Sequence, residues 1–250
     1  MMLLGTVELG KIPRIVVAVD GNSLKNKLFK ARELKVDLIE ARIDLLETIS
    51  EKSVKSFLDT IADFGFFCIA TVRPIWEGGS FKKDEEERFS IFHNIVSHPA
   101  VAAVDIELRA EAILKRTITL AKANGKKVII SYHDFEKTPE KEVIEEIFKK
   151  GEKLKADIVK CAFKANSYKD VADTAAIMKN IAFPKIFMLM GDKGSISRVD
   201  GFIFGSLLTY TFIGEAVAPG QIELEELVKL LMKFYPEYKK SKSLYFKEAL

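Results

Sequence analysis

Eight times along its 250 residues, this chain alternates a short β-branched or apolar run with a longer amphipathic, charged segment. The strand candidates end at Asp20, Asp44, Arg73, Leu108, His133, Ala162, Met190 and Ile213. The helical patterns between and after them span residues 23–34, 51–64, 84–98, 111–124, 139–150, 167–180, 195–208 and 224–234. Ser23, Thr138-Pro139 and Ser167 supply start signals, and Asn124-Gly125 supplies a stop. Strict strand–helix alternation implies a parallel sheet, and eight units imply closure into a (β/α)8 TIM barrel. An open doubly wound sheet would want a glycine-rich turn after the first strand. Asp20-Gly21-Asn22-Ser23 is not G-x-G-x-x-G. No Pro/Gly/Ser-rich linker interrupts the chain, so residues 1–250 read as one α/β barrel domain. Residues 235–250 form a C-terminal extension that is a packing helix, a dimer contact or a tail.

The apolar fraction of 48% is ample for a large core. A net charge of +3 spreads over a chain that is 30% charged, with Lys and Glu interleaved along helices. That is a solvated helical face and argues against a nucleic-acid partner. The one basic cluster is Lys239, Lys240 and Lys242. The N-terminal run M-M-L-L-G-T-V is too short for a signal peptide, and no stretch approaches a membrane span of about 20 apolar residues. Cys68 and Cys161 lie in apolar strands and make no disulfide framework. These features place the protein in the cytoplasm. Abundant Lys and Glu with a single glutamine, Gln221, lean towards a thermophilic source. His93 and His98 are five apart, beyond the i, i+4 spacing of paired ligands on one helix face, so no metal site is expected.

Lys160 stands inside A-D-I-V-K-C-A-F, which otherwise reads as a buried strand. Such a lysine pairs with a carboxylate, snorkels out, or sits desolvated, where its neutral amine can attack a ketone. Other strands end in the same way. Period-two alternation turns Glu40, Arg42 and Asp44 inward together, then Thr71 and Arg73, with Glu77 on the following loop. Asp105 and Glu107 come from the fourth strand, and Ser131 and His133 from the fifth. Burying this many charges costs several kcal/mol each, so their convergence at C-terminal strand ends points to an enzyme for a small polyhydroxylated anion. Gly191 and Gly194 precede a helix opened by residues 195–198, a candidate anion cradle, and Ala218-Pro219-Gly220-Gln221 would close the same face. Trp76 is expected to pack beneath the third loop.

Together these segments resemble the type I 3-dehydroquinate dehydratases. The matching elements are E-A-R-I-D (40–44), T-V-R-P-I-W-E-G-G (71–79), S-Y-H-D-F (131–135), I-V-K-C-A (158–162), M-G-D-K-G-S-I-S-R (190–198) and A-P-G-Q (218–221). The resemblance implies a barrel that needs no metal or cofactor, forms a homodimer, and dehydrates 3-dehydroquinate in aromatic amino acid biosynthesis. It implies that Lys160 forms an imine with the substrate ketone, that His133 moves the protons, and that Glu77 orients His133. Arg198 would take the substrate carboxylate. Glu40, Arg42, Arg73 and Gln221 would hold the hydroxyls and keto region, while Met190 and Ala218 line the pocket. One departure is Val217, where this family often has a serine. A Schiff-base aldolase acting on a phosphorylated sugar, with phosphate at the 191–198 loop, shares the barrel and the lysine. A catalytically silent binding barrel is the alternative of another class.

Overall fold

The computed structural model describes residues 2–216 and 218–246. It opens on an antiparallel hairpin, β1 (Met2–Leu4) and β2 (Val7–Leu9), that the sequence pattern did not announce. Gly5 makes the turn at φ 58°, and a side chain there would run into the Phe67 ring. The barrel follows: β3 (Ile15–Val19), α1 (Leu24–Glu33), β4 (Leu38–Arg42), α2 (Glu51–Asp63), β5 (Cys68–Thr71) and α3 (Glu85–Ile95). It continues through β6 (Val101–Glu107), α4 (Leu114–Ala123), β7 (Lys127–Asp134), α5 (Lys141–Lys153), β8 (Ile158–Lys164) and α6 (Tyr168–Asn180). The last elements are β9 (Lys185–Met190), α7 (Ser197–Asp200), β10 (Thr209–Thr211), α8 (Leu224–Phe234) and α9 (Pro236–Phe246).

Eight strands pair in parallel in the order β10-β3-β4-β5-β6-β7-β8-β9. Leu207 N donates to Lys185 O at 2.8 Å across the remaining seam, so the sheet nearly closes on itself. This is the (β/α)8 barrel that the alternation implied. In β4, Ile39 and Ala41 join the layer between strands and helices, while Leu38 joins the apolar interior with Val16, Ile69, Ile129 and Ile158. Buried Leu4 and Leu9 belong to that interior cluster, so the hairpin plugs the N-terminal mouth. Above the apolar layers the register sets Glu107 beside Ser131 and Ser131 beside Lys160. Polar groups therefore meet at one level of the C-terminal mouth.

Local chemistry explains where the elements differ from expectation. Ser167 caps α6 in a reciprocal box with Asp170, as its position suggested. Ser23 instead sits at φ 49° with no side-chain cap, and the Thr138 hydroxyl bonds Lys164 O while α5 begins at Lys141. The helix expected over residues 195–208 is reduced to α7 and a 3-10 turn over Gly201–Phe204. Two serines there serve β9 instead: the Ser197 hydroxyl accepts from Leu189 N at 2.7 Å, and Ser206 accepts from Phe187 N at 3.1 Å. Gly205 at φ 92° then turns the chain into β10.

The C-terminal extension is a packing helix through residue 246. Tyr238 is wholly buried. Lys242 turns inward to Asp37, 3.1 Å from Oδ1, and donates to Lys35 O. Asp37 also receives Arg14 and the backbone of Ile15, so α9 latches onto the N-terminal end of β3 and β4. The cluster Lys239, Lys240 and Lys242 is thus not a basic patch, because one of its three members is consumed in a buried pair. Among the described residues no helix is long and apolar enough to cross a membrane. Tyr238→Ala is expected to lower stability to chemical denaturation by about 3–5 kcal/mol, the usual cost of emptying an aromatic site. Tyr238→Phe is expected to be neutral, because the hydroxyl has no hydrogen-bond partner among the described residues.

Candidate active site

A narrow cavity of about 70 Å³ opens at the C-terminal end of the strands. Its lining includes Glu40, Arg42, Arg73, Glu77, His133, Lys160, Met190, Arg198, Ala218 and Gln221, the residues to which the family resemblance gave a role. Gly78, Phe135, Ala162, Met188 and Tyr210 complete it. A larger cleft of about 550 Å³ between α2 and α3 holds only exposed or half-buried charges, such as Lys55 and Asp59. Val217 lies outside the described residues.

Lys160 is 4% exposed. Its Nζ lies 3.0 Å from Asp105 Oδ2, 3.3 Å from Glu40 Oε1 and 4.2 Å from the Tyr210 ring centroid. The lysine is therefore both buried and paired, two outcomes that the sequence had left as alternatives. Burial alone pushes the Asp105 carboxyl up, but Arg73 and Lys160 outweigh it and hold that carboxyl well below the usual carboxylate range. Ser131 adds a hydroxyl donor to Asp105 at 2.6 Å.

Three arginines reach the cavity, and their charges are not equivalent. Arg42 is clamped by Asp44 through two bonds of 2.9 and 2.8 Å. Arg73 spans Asp105, at 2.8 Å, and Glu107. Glu107 in turn receives Arg88 of α3, a buried arginine absent from the sequence reading. Arg198 has no carboxylate partner among the described residues. Its Nε donates to Gly220 O at 2.7 Å, with longer bonds to Pro219 O and Tyr210 O at 3.3 Å. Burial without a counter-ion lowers its pKa to about 10. The 218–221 segment folds down onto this guanidinium. A Cβ at Gly220 would strike the Gly191 backbone, so only glycine permits that approach. The unbalanced charge at this loop is thus the Arg198 side chain. The four-residue α7 offers no helix N-terminus of the kind expected for residues 195–198.

His133 Nδ1 stands 2.7 Å from Glu77 Oε2, and the same oxygen accepts the His133 backbone N–H at 3.2 Å. Phe135 stacks on the imidazole at 16°. Burial, then the charges of Arg73 and Lys160, lower the His133 pKa well below 6.5. That shift favours the neutral ring, in which a proton on Nδ1 towards Glu77 leaves a lone pair on Nε2. Burial raises the Glu77 carboxyl, opposed by Arg73 and Arg109.

Some expectations move outside the site. Trp76 is 44% exposed and lies near Arg88 and Arg109 instead of packing beneath its loop. Lys164 ends β8, two residues beyond the expected strand, and its Nζ sits beside Gly191, not in the cavity lining. Burial pushes the Cys161 thiol up, which makes it packing. His98 bonds Asp59 and the backbone of Ala100, and His93 is exposed. Among the described residues no three His, Cys, Asp or Glu side chains converge as a metal site. Arg109 and Tyr210 were not named from sequence, while Asp105 and Glu107 were placed at the mouth without a role. Alternation was the available signal for Arg109, since it continues the face of Glu107.

Charged side chains gather at the C-terminal mouth, where (β/α)8 enzymes keep their chemistry. The chain belongs to the type I 3-dehydroquinase family, whose model matches residues 15–236 and so ends where α9 begins. A 3-dehydroquinate dehydratase of Aquifex aeolicus is 40% identical over 88% of this chain and 98% of its own length. Its crystal structure superposes with a TM-score of 0.81 at 39% identity, covering 89% of this chain and 99% of that one. A type I 3-dehydroquinate dehydratase from Clostridium difficile gives 0.87 at 28% identity, covering 94% of this chain and 98% of that one.

Glu107 faces Arg73 and Arg88 and does not line the cavity. Glu107→Ala removes one of two carboxylate partners from each of two buried guanidiniums, leaving Arg73 with Asp105 and Arg88 with Glu85. Equilibrium unfolding is expected to show a loss of about 3–5 kcal/mol.

Proposed function

We propose that this chain converts 3-dehydroquinate to 3-dehydroshikimate and water through a Schiff base on Lys160, as a step of aromatic amino acid biosynthesis in the cytoplasm. The observation that carries the reading is an imidazole held by Glu77 sharing one cavity with a buried, carboxylate-flanked lysine. The amine of Lys160 adds to the C3 ketone and expels water, leaving a protonated imine. That cation draws electrons from the adjacent carbon, which acidifies the C2 proton. Nε2 of His133 takes the proton, with Glu77 holding the ring by Nδ1. The resulting enamine expels the C1 hydroxyl, which leaves as water with the proton that His133 returns. Water then hydrolyses the imine and frees Lys160.

Asp105 and Glu40 stand where they stabilise the positive charge of the imine. Arg198 takes the substrate carboxylate, because an anion supplies the counter-charge that the protein withholds. Glu40, Arg42, Arg73 and Gln221 position the hydroxyls and keto region, with Met190 and Ala218 shaping the walls. The electron sink is the imine itself, so the reading calls for no cofactor. A homodimer is the assembly proposed with it. The aldolase alternative placed a phosphate at the 191–198 loop, where this reading assigns Arg198 to the substrate carboxylate, and the family match favours the dehydratase.

Borohydride added to protein and 3-dehydroquinate is expected to trap one adduct, mapped by peptide mass to residues 158–162. His133→Ala should still give that adduct while turnover falls roughly 10²–10⁴-fold. A label on Lys164 instead would contradict the assignment. The pH profile tests the imidazole. A base with a depressed pKa stays unprotonated as pH falls through 6.5, so kcat/KM should hold level there and decline only at lower pH. An acid limb centred at or above 6.5 would count against His133 in this role.

A further inference from the structure

Arg109 follows the end of β6, the strand that lies between β5 and β7 in the sheet. Its guanidinium therefore stands between the loop carrying Glu77 and the strand carrying His133. Nε donates to Glu77 Oε1 at 2.7 Å, and Nη2 donates to the His133 carbonyl at 3.0 Å. The guanidinium carbon lies 4.8 Å from the Tyr132 ring centroid and 5.8 Å from that of Trp76. One side chain thus grips both members of the imidazole–carboxylate pair and itself lies against two aromatic rings. Arg109 does not line the cavity, so it can act only through the groups it holds.

A surface arginine paired with a surface acid is worth little. Here the partner carboxylate is fully buried, and its oxygens are divided. Oε2 serves the ring and backbone of His133, while Oε1 serves Arg109. Remove Arg109 and Oε1 loses its donor, leaving the carboxylate free to turn about its own axis. Resting on the reading above, in which His133 carries the protons, we propose that Arg109 is a positioning residue of the dehydration. It locks Glu77 so that His133 keeps Nδ1 as donor and Nε2 as base.

The charges facing Glu77 are Arg109 from the β6 exit, His133 from β7, Arg73 from the end of β5 and Asp105 from β6. Burial raises the Glu77 carboxyl, and Arg73 and Arg109 oppose that rise. Losing Arg109 therefore lets Glu77 take a proton at higher pH, and a protonated Glu77 orients the imidazole poorly.

The test compares wild type, Arg109→Gln, Arg109→Lys, Glu77→Gln and the double variant Arg109→Gln/Glu77→Gln. With 3-dehydroquinate, Arg109→Gln is expected to lower kcat roughly 10- to 100-fold through misorientation, with KM little changed. The acid limb of kcat should move to higher pH. Arg109→Lys should restore the limb but only part of kcat, because it keeps the charge and loses the fork. The double variant should be no slower than Glu77→Gln. An unchanged kcat and limb in Arg109→Gln would overturn the proposal, as would an undiminished further loss in the Glu77→Gln background. Nitrogen-15 NMR of the resting protein, which has three histidines, separates this proposal from the functional reading. A single Nδ1–H tautomer of His133 should give way to mixed tautomers in Arg109→Gln, whatever the substrate proves to be. An unaltered ring spectrum would overturn the positioning role even where turnover bears out the dehydration.

Discussion

Asp105 is the carboxylate on which the charged end of the barrel depends. One oxygen receives Arg73 and Ser131, and the other receives Lys160. A lysine and an arginine can lie side by side in a low-dielectric mouth only because a fully ionised acid sits between them. The same acid is positioned to face an imine cation if Lys160 forms one. A single side chain therefore links the stability of the empty site to the chemistry proposed for it.

The arginines divide the remaining labour by what they lack. Arg42 and Arg73 are matched within the protein, so their guanidiniums are fixed features of the wall. Arg198 is held by three backbone carbonyls and by no carboxylate among the described residues. Partial charges satisfy its hydrogen bonds but not its full charge, which leaves an unbalanced positive charge at the cavity wall. Two of those carbonyls belong to Pro219 and Gly220, so an anion bound at Arg198 would meet the same loop that covers the cavity.

Neutral His133 and ionised Asp105 both weaken the fold in acid. The His133 pKa is depressed in the folded state, so below 6.5 the unfolded chain takes up a proton that the folded chain refuses. Asp105 is likewise depressed, and its contribution is lost as pH falls below 3.8. Both terms are present above the unfolded-state values and disappear on acidification. The arrangement that keeps a base ready near neutrality is stable on the neutral side.

Much of this was legible in the chain. Eight alternations implied the barrel, and period-two facing sent Glu40, Arg42, Arg73, His133 and Lys160 to one mouth, because side-chain direction in a strand is a local property. Ordered motifs identified the family. The helix over 195–208 misled because serines whose hydroxyls serve β9 look, in sequence, like ordinary helix residues. The tail was undecided because its burial depends on Asp37, some 205 residues away from Lys242. Which charges cancel was beyond the sequence for the same reason. Lys160 meets Glu40 across 120 positions, and Arg109 meets Glu77 across 32. The chain alone determined which side chains enter the mouth. Only the closed barrel decided which of them are matched, which imidazole is neutral, and that Arg198 keeps a charge to spare, since desolvation and pairing depend on distances between strand ends that no local pattern records.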